Sequence, residues 1–127
     1  MEYKYSEITG RILRAAMNVH GTLGIGFPEV IYQRSLLVEF ELLSIDYGRE
    51  INRDVYYKGV HVGTRRVDFL IDKKICVELK AVILLDNAHL AQAKNYLEAF
   101  NLEVGLLINF GAKSLEWKRI YNNKYSA

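Results

Sequence analysis

The stretch Arg66-Val67-Asp68-Phe69-Leu70-Ile71-Asp72-Lys73-Lys74-Ile75-Cys76-Val77-Glu78-Leu79-Lys80 decides how this chain reads. Two runs of strand-forming residues, Arg65 to Ile71 and Ile75 to Lys80, flank the polar Asp72-Lys73-Lys74, which is short enough for a hairpin. Antiparallel neighbours are therefore expected. Strand alternation sends Val67, Phe69 and Ile71 to one face and Asp68 to the other, beside Arg66 and Leu70. The same rule places Ile75, Val77 and Leu79 together and turns Glu78 and Lys80 the opposite way. If the strands pair through the short turn, Asp68 and Glu78 converge.

Two neighbouring carboxylates repel unless a proton or a cation neutralises them, and a hard, oxygen-seeking ion such as Mg²⁺ suits that arrangement. Lys80 supplies a point charge alongside. The chemistry this favours is phosphodiester hydrolysis, in which a metal polarises the phosphate and activates a water while Lys80 orients that water or stabilises developing charge. On spacing alone, an ordinary cross-strand ion pair on a solvent face explains the same three residues.

Outward from this hairpin, the chain alternates its periodicity. Ser6 to about His20 carries Ile8, Ile12, Ala15, Ala16 and Val19 at helical spacing. Gly21-Thr22-Leu23-Gly24-Ile25-Gly26 then reads as a tight connection. Pro28 suits the first turn of a second helix ending near Leu43 or Ser44, with Tyr32, Leu36, Leu37, Phe40 and Leu43 as its apolar face. From Ile45 onward the pattern turns to strand, with Ile51, Val55, Tyr56 and Tyr57 as strand formers and Lys58-Gly59 a turn into Val60 to Gly63, ahead of the central hairpin. Asn87 to about Phe100 returns to helix with Asp86 or Asn87 as N-cap. Val104 to Phe110 reads as a buried strand and Leu115 to Tyr121 as a last one. The order predicts one α/β domain over residues 1–127, with helices packed on a mixed sheet.

Composition agrees with one packed domain: half of the 127 residues are hydrophobic, ample for a single core. Seventeen basic residues against fifteen acidic ones exclude a general positive field, so affinity for nucleic acid must come from local clustering. Cys76 is the only cysteine and sits in an apolar run, which suits a reducing cytoplasm. The polar start Met1-Glu2-Tyr3-Lys4-Tyr5 and the lack of a long apolar run argue against export and membrane insertion.

Other positions carry polar chemistry of their own. Glu29 heads a stripe with Tyr32, Leu36, Phe40 and Leu43, and a carboxylate on a buried face needs a partner, a proton or a metal; alternatively it favours the helix N-terminus electrostatically. His89, Gln92 and Tyr96 share another stripe, which either lines the site or forms a partly exposed polar face. His20, before the glycines, reads equally as a helix C-terminal cap and as a site residue.

Together these residues resemble the GxxExxY family, whose motif stands here as Gly26-Phe27-Pro28-Glu29-Val30-Ile31-Tyr32. The likeness runs in order through His20-Gly21, the Asp68 strand, Glu78-Leu79-Lys80-Ala81, His89 to Leu97, and Val104 to Gly111. It implies the PD-(D/E)XK restriction-endonuclease-like core near the RecB-like nucleases, a central mixed sheet flanked by helices. The resemblance makes Glu29 the helical acid, Asp68 the aspartate, and Glu78 with Lys80 the E-x-K pair. Asp68, Glu78 and Glu29 would then serve as metal ligands. Gln92 and Tyr96 match the Q-x-x-x-Y element, with His20 and Tyr32 in support. Val67 stands where a proline would precede the aspartate. The implied activity is Mg²⁺- or Mn²⁺-dependent cleavage of nucleic acid, with DNA the expected substrate.

Two other readings compete. A non-catalytic nucleic-acid-binding or assembly module would keep the fold and use Arg49, Arg53, Lys58, Arg65, Arg66 or Lys94 as contacts, although each also reads as part of a solvated face. A chain this small also suits action as a homodimer or with a partner protein.

Overall fold

The computed structural model describes residues 4–127. The polar reading of Met1-Glu2-Tyr3 falls outside them. The elements are α1 (Ser6–Leu23), α2 (Glu29–Leu42), β1 (Tyr47–Tyr57), β2 (Val60–Ile71), β3 (Ile75–Lys80), α3 (Asn87–Phe100), β4 (Val104–Asn109) and β5 (Glu116–Tyr121). The five strands form one sheet in the order β1-β2-β3-β4-β5. Only β3 and β4 are parallel, as their connection through α3 requires; the other neighbours are antiparallel. The expected α/β architecture with a mixed sheet is present.

Two apolar clusters sandwich the sheet. Ile12, Ala15 and Ala16 of α1 and Tyr32, Leu36 and Phe40 of α2 pack with Phe69, Ile71, Ile75, Val77, Leu79, Leu106 and Ile108. On the other face Ala93, Leu97 and Phe100 of α3 meet Val67, Cys76, Leu107 and Ile120. β3 and β4, covered on both sides, are apolar almost throughout, as internal parallel strands must be. Gly105 lets α3 approach: a Cβ there would sit 2.8 Å from Leu97 Cδ2 and 3.0 Å from the Cys76 carbonyl oxygen. Among the described residues no helix is long and apolar enough to cross a membrane.

Several boundaries differ from the sequence expectation. α1 runs past His20 to Leu23, because a single helical glycine costs only about 1 kcal/mol relative to alanine. It stops at Gly24, whose φ of 69° leaves the helix while its N–H still bonds the His20 carbonyl at 2.8 Å. Pro28 precedes α2 instead of entering its first turn, since its ψ of 155° is extended, and α2 ends at Leu42. β1 starts at Tyr47, within the stretch from Ile45 onward where the pattern turns to strand. Val60 to Gly63 and Arg65 to Ile71 are one strand, because Gly63 and Thr64 stay paired with Val55 and Asp54. β4 ends at Asn109 and β5 starts at Glu116.

The face assigned to Val67 is also corrected. It lies on the α3 side, while Phe69 and Ile71 lie on the α1/α2 side. Alternation breaks at the residue between them, Asp68. In the neighbouring strand Glu50 adopts a left-handed φ of 52°, and its flanks divide in the same way: Tyr47 packs with the first cluster and Ile51 with the second.

Candidate active site

The break at Asp68 is where β2 leaves β3. Backbone pairing between these strands covers only Phe69, Leu70 and Ile71 against Val77, Cys76 and Ile75. One step further, side chains replace the ladder. The Asp68 amide donates to Glu78 Oε1 at 3.0 Å, and the Leu79 amide donates to Asp68 Oδ2 at 2.8 Å. Each carboxylate thus satisfies a backbone N–H that the parting strands would otherwise strand in a partly dry fork.

Burial and mutual repulsion load this pair electrostatically. Glu78 is only 6% exposed. Its burial, followed by the charge of Asp68, pushes its carboxyl up to about 9, against the opposing Asp68 amide and Lys80. Asp68 is raised as well, first by burial, with the Leu79 amide, Lys80 and Gln33 opposing. A fork holding two such acids favours a proton or a cation between them.

α2 supplies the next layer. Gln33, buried and one turn beyond Glu29, donates from Nε2 to Asp68 Oδ1 at 3.1 Å, while its Oε1 accepts from Arg49 Nη2 at 3.0 Å. These two bonds fix which way the amide points. Arg49, proposed from sequence as a nucleic-acid contact or part of a solvated face, is only a third exposed, and its buried Nε has no hydrogen-bond partner among the described residues. Glu29, Val30, Gln33, Glu50 and Asp68 line an open cavity of about 310 Å³. Glu29 is exposed at that cavity, so the argument from the cost of burying it fails; the buried stripe of α2 starts at Tyr32. Its carboxyl is nonetheless raised, by partial loss of solvent and then by the Asp68 charge, with Lys80 opposing.

α3 closes the other side. Asp86 caps it: its Oδ1 accepts the His89 amide at 3.1 Å, and the Asp86 amide donates to His89 Nδ1 at 3.1 Å. His89 is spent in this cap. One turn on, Gln92 Oε1 accepts from Lys80 Nζ at 2.8 Å. Tyr96, half-buried on the same face, has its hydroxyl pKa raised by burial and then by Glu78, and the Arg65 guanidinium lies 5.9 Å from its ring centre.

His20 and Tyr32 stand apart from the carboxylates. The His20 ring bonds the Ala112 carbonyl oxygen at 2.9 Å and packs near Phe110. Tyr32 is fully buried and stacks on Phe110 with ring centres 4.8 Å apart. Its hydroxyl donates to the Gly24 carbonyl oxygen at 2.6 Å and accepts the Phe27 amide at 3.3 Å. It thereby fastens the glycine loop, including Gly26 at φ 106°, that delivers Glu29 to the cavity.

Gln33, Arg49 and Asn109 were not foreseen as site residues. Gln33 carried a usable signal, its four-residue step from Glu29. Asn109, fully buried, holds the chain just beyond Lys80: Oδ1 accepts from the Val82 and Gly111 amides, and Nδ2 donates to the Val82 carbonyl and Glu116. A larger cavity of about 410 Å³ between α1 and β5, lined by Thr9, Leu13, Trp117 and Arg119 among others, contains no carboxylate.

Among the described residues no three His, Cys, Asp or Glu side chains gather as a ready metal cage. Mg²⁺ does not require one, since it binds through one or two carboxylates and completes its shell with water and phosphate. Asp68 and Glu78, held by each other's strand and both raised in pKa first by burial, fit that coordination.

The chain matches no curated protein. It resembles the crystal structure of SSO0001, with a TM-score of 0.61 and 20% identity over 74% of this chain, a likeness of fold; this chain spans half of that structure's length. A model of the PD-(D/E)XK nuclease superfamily, whose nucleases typically use divalent metals, matches residues 6–120. With the match running from the start of α1 to the end of the sheet, this chain belongs to the PD-(D/E)XK nuclease superfamily.

Proposed function

We propose that this protein is a divalent-metal-dependent nuclease acting on nucleic acid, DNA in the first instance, and that it falls with the GxxExxY proteins near the RecB-like branch. The observation that carries this reading is the reciprocal bonding of Asp68 and Glu78 at the strand fork, with Lys80 one alternation beyond Glu78 on the same strand face. Mg²⁺ or Mn²⁺ held by Asp68 and Glu78 would polarise the phosphate and make a water nucleophilic at neutral pH.

The chain's own groups do the rest. Gln92 occupies one donor of the Lys80 ammonium, leaving two for the attacking water and a phosphate oxygen. Gln33 holds Asp68 in place against the repulsion of Glu78. Glu29, at the open cavity beside Asp68, would support the ion directly or through water. Tyr96 closes the α3 side of the fork, and Tyr32 acts at a distance by fixing the loop before Glu29. His20 serves the same loop end, through Ala112. A cytoplasmic location suits the lone, buried Cys76, and a homodimer or a partner protein would extend the small surface offered to a substrate.

Incubating the purified protein with DNA and RNA in Mg²⁺, Mn²⁺ or EDTA tests the reading. Cutting that needs the metal and disappears in Lys80→Ala supports it. Equal cutting by Lys80→Ala, or none with either metal, overturns it.

A further inference from the structure

Beyond Asp68 the β1–β2 pair has no third strand among the described residues: β3 reaches only Phe69, and β1 is the edge of the sheet. Residues 51–67 therefore form a two-stranded arm that starts at the fork. Its root is tied to α3, where the Arg53 guanidinium lies 5.2 Å from the Phe100 ring centre and Arg65 Nε donates to Asn95 Oδ1 at 2.8 Å. Past the root, no other element among the described residues covers it. Tyr56, Tyr57, Val60 and Val62 are 60–64% exposed around the Lys58-Gly59 turn. A bare two-stranded ribbon is marginal in water, and exposed apolar side chains on it call for a surface to bind.

The charge on this arm identifies the surface. Residues 52–66 hold four basic groups, Arg53, Lys58, Arg65 and Arg66, against the single acid Asp54, a net charge of +3 in a chain whose total is +2. All of the chain's positive excess lies on the arm. A second copy brings the same positive charge, which opposes pairing arm to arm; a polyanion complements it. Shape narrows the choice, because the major groove of B-form DNA admits a two-stranded ribbon, whereas the deep, narrow groove of A-form RNA does not. The register shift between Val55 and Tyr56 marks a bulge, a feature that adds twist to a ribbon. From Asp68 to Val60 the strand covers about 26 Å, roughly three-quarters of a duplex turn.

We infer that the β1–β2 arm is a duplex-DNA clamp that lies in the major groove with its tyrosines and Lys58 at the tip, holding the backbone across the Asp68–Glu78 fork. This deepens the nuclease reading and rests on it for the role of the fork. The contact itself does not involve the metal site.

Fluorescence anisotropy in EDTA, with a labelled 24-base-pair DNA duplex, the matching RNA duplex and a single strand, tests the clamp. The DNA duplex should bind at least 10-fold more tightly than either alternative. Tyr56→Ser with Tyr57→Ser should weaken duplex binding about 10-fold, and Lys58→Ala should reduce the slope of log affinity against log salt by about 0.9, the loss of one phosphate contact. Circular dichroism of each variant checks the fold. Unchanged duplex affinity in these variants overturns the clamp, as does equal binding of RNA, no binding at all, or conversion of a dimer to a monomer with DNA affinity intact. Metal-dependent cutting is measured separately, so that a protein that binds through the arm but never cuts refutes the nuclease reading alone.

Discussion

Asp68 and Glu78 hold one another across a strand junction that has no backbone ladder, the amide of Asp68 donating to Glu78 Oε1 at 3.0 Å and Asp68 Oδ2 accepting from the amide of Leu79 at 2.8 Å. The carboxylates that would serve catalysis are also the pegs that keep the fork from collapsing. Function and stability therefore meet in the same two side chains.

The first consequence concerns pH. Glu78 titrates near 9 in the metal-free fold and near 4.3 when unfolded, so between those values the folded state holds the extra proton. Stability should fall as pH rises through that window. The upward shift of Asp68 acts in the same direction. Thermal melts in EDTA should show a falling midpoint from pH 5 to 9, and Glu78→Gln should flatten the fall. A divalent ion binds the ionised pair, so Mg²⁺ should raise the midpoint more at pH 8 than at pH 6. A metal-free midpoint that climbs with pH contradicts the sign.

Lys80 is expected to matter for turnover and little for folding, because among the described residues its ammonium hydrogen-bonds only Gln92, at the partly exposed end of β3. Lys80→Ala should lower the cleavage rate by about 10²–10³-fold, the cost typical of losing one group that stabilises transition-state charge. Its melting temperature should stay close to that of the parent. Lys80→Arg should not restore the rate, since a planar fork cannot replace a point charge at this spacing.

Gln33 links Arg49 to Asp68, and removing it leaves Asp68 Oδ1 and Arg49 each short of a partner. Gln33→Ala should weaken Mn²⁺ binding about 10-fold or more, as expected for the loss of a group that orients a ligand. Calorimetric titration with Mn²⁺ measures this directly. Gln33→Glu, which sets a third charge against Asp68, should fold less stably in EDTA and recover when Mn²⁺ is added.

Tyr32→Phe separates packing from hydrogen bonding. The stack on Phe110 survives, whereas the Gly24 carbonyl and the Phe27 amide lose their shared hydroxyl. A loss of about 1–3 kcal/mol in denaturant unfolding is expected. Cleavage should fall only as far as Glu29 is displaced, so substrate affinity should change more than the maximal rate.

Much of this arrangement could be read from sequence because it rests on local periodicity. The Asp72-Lys73-Lys74 turn joins antiparallel strands, Asp86 caps α3, and Val104 to Asn109 is buried on both faces. What escaped depends on departures from periodicity. Val67 changed faces because alternation breaks at Asp68, opposite a left-handed Glu50, and no residue type announces that break. Gln33 and Asn109 are common surface residues in composition; their importance comes from four strands and a helix converging on them. Glu29 misled in the opposite way, because a helical stripe fixes direction without saying how far the neighbouring elements extend over it.

Soaking crystals in Mn²⁺ and recording its anomalous scattering tests the central claim most directly. A single strong peak about 2.0–2.3 Å from one oxygen each of Asp68 and Glu78, lost in Glu78→Gln, is the expected result. No peak at the fork at pH 8, with the carboxylates still bonded to the Asp68 and Leu79 amides and to Gln33, would contradict a shared metal site and leave the pair a purely structural clasp.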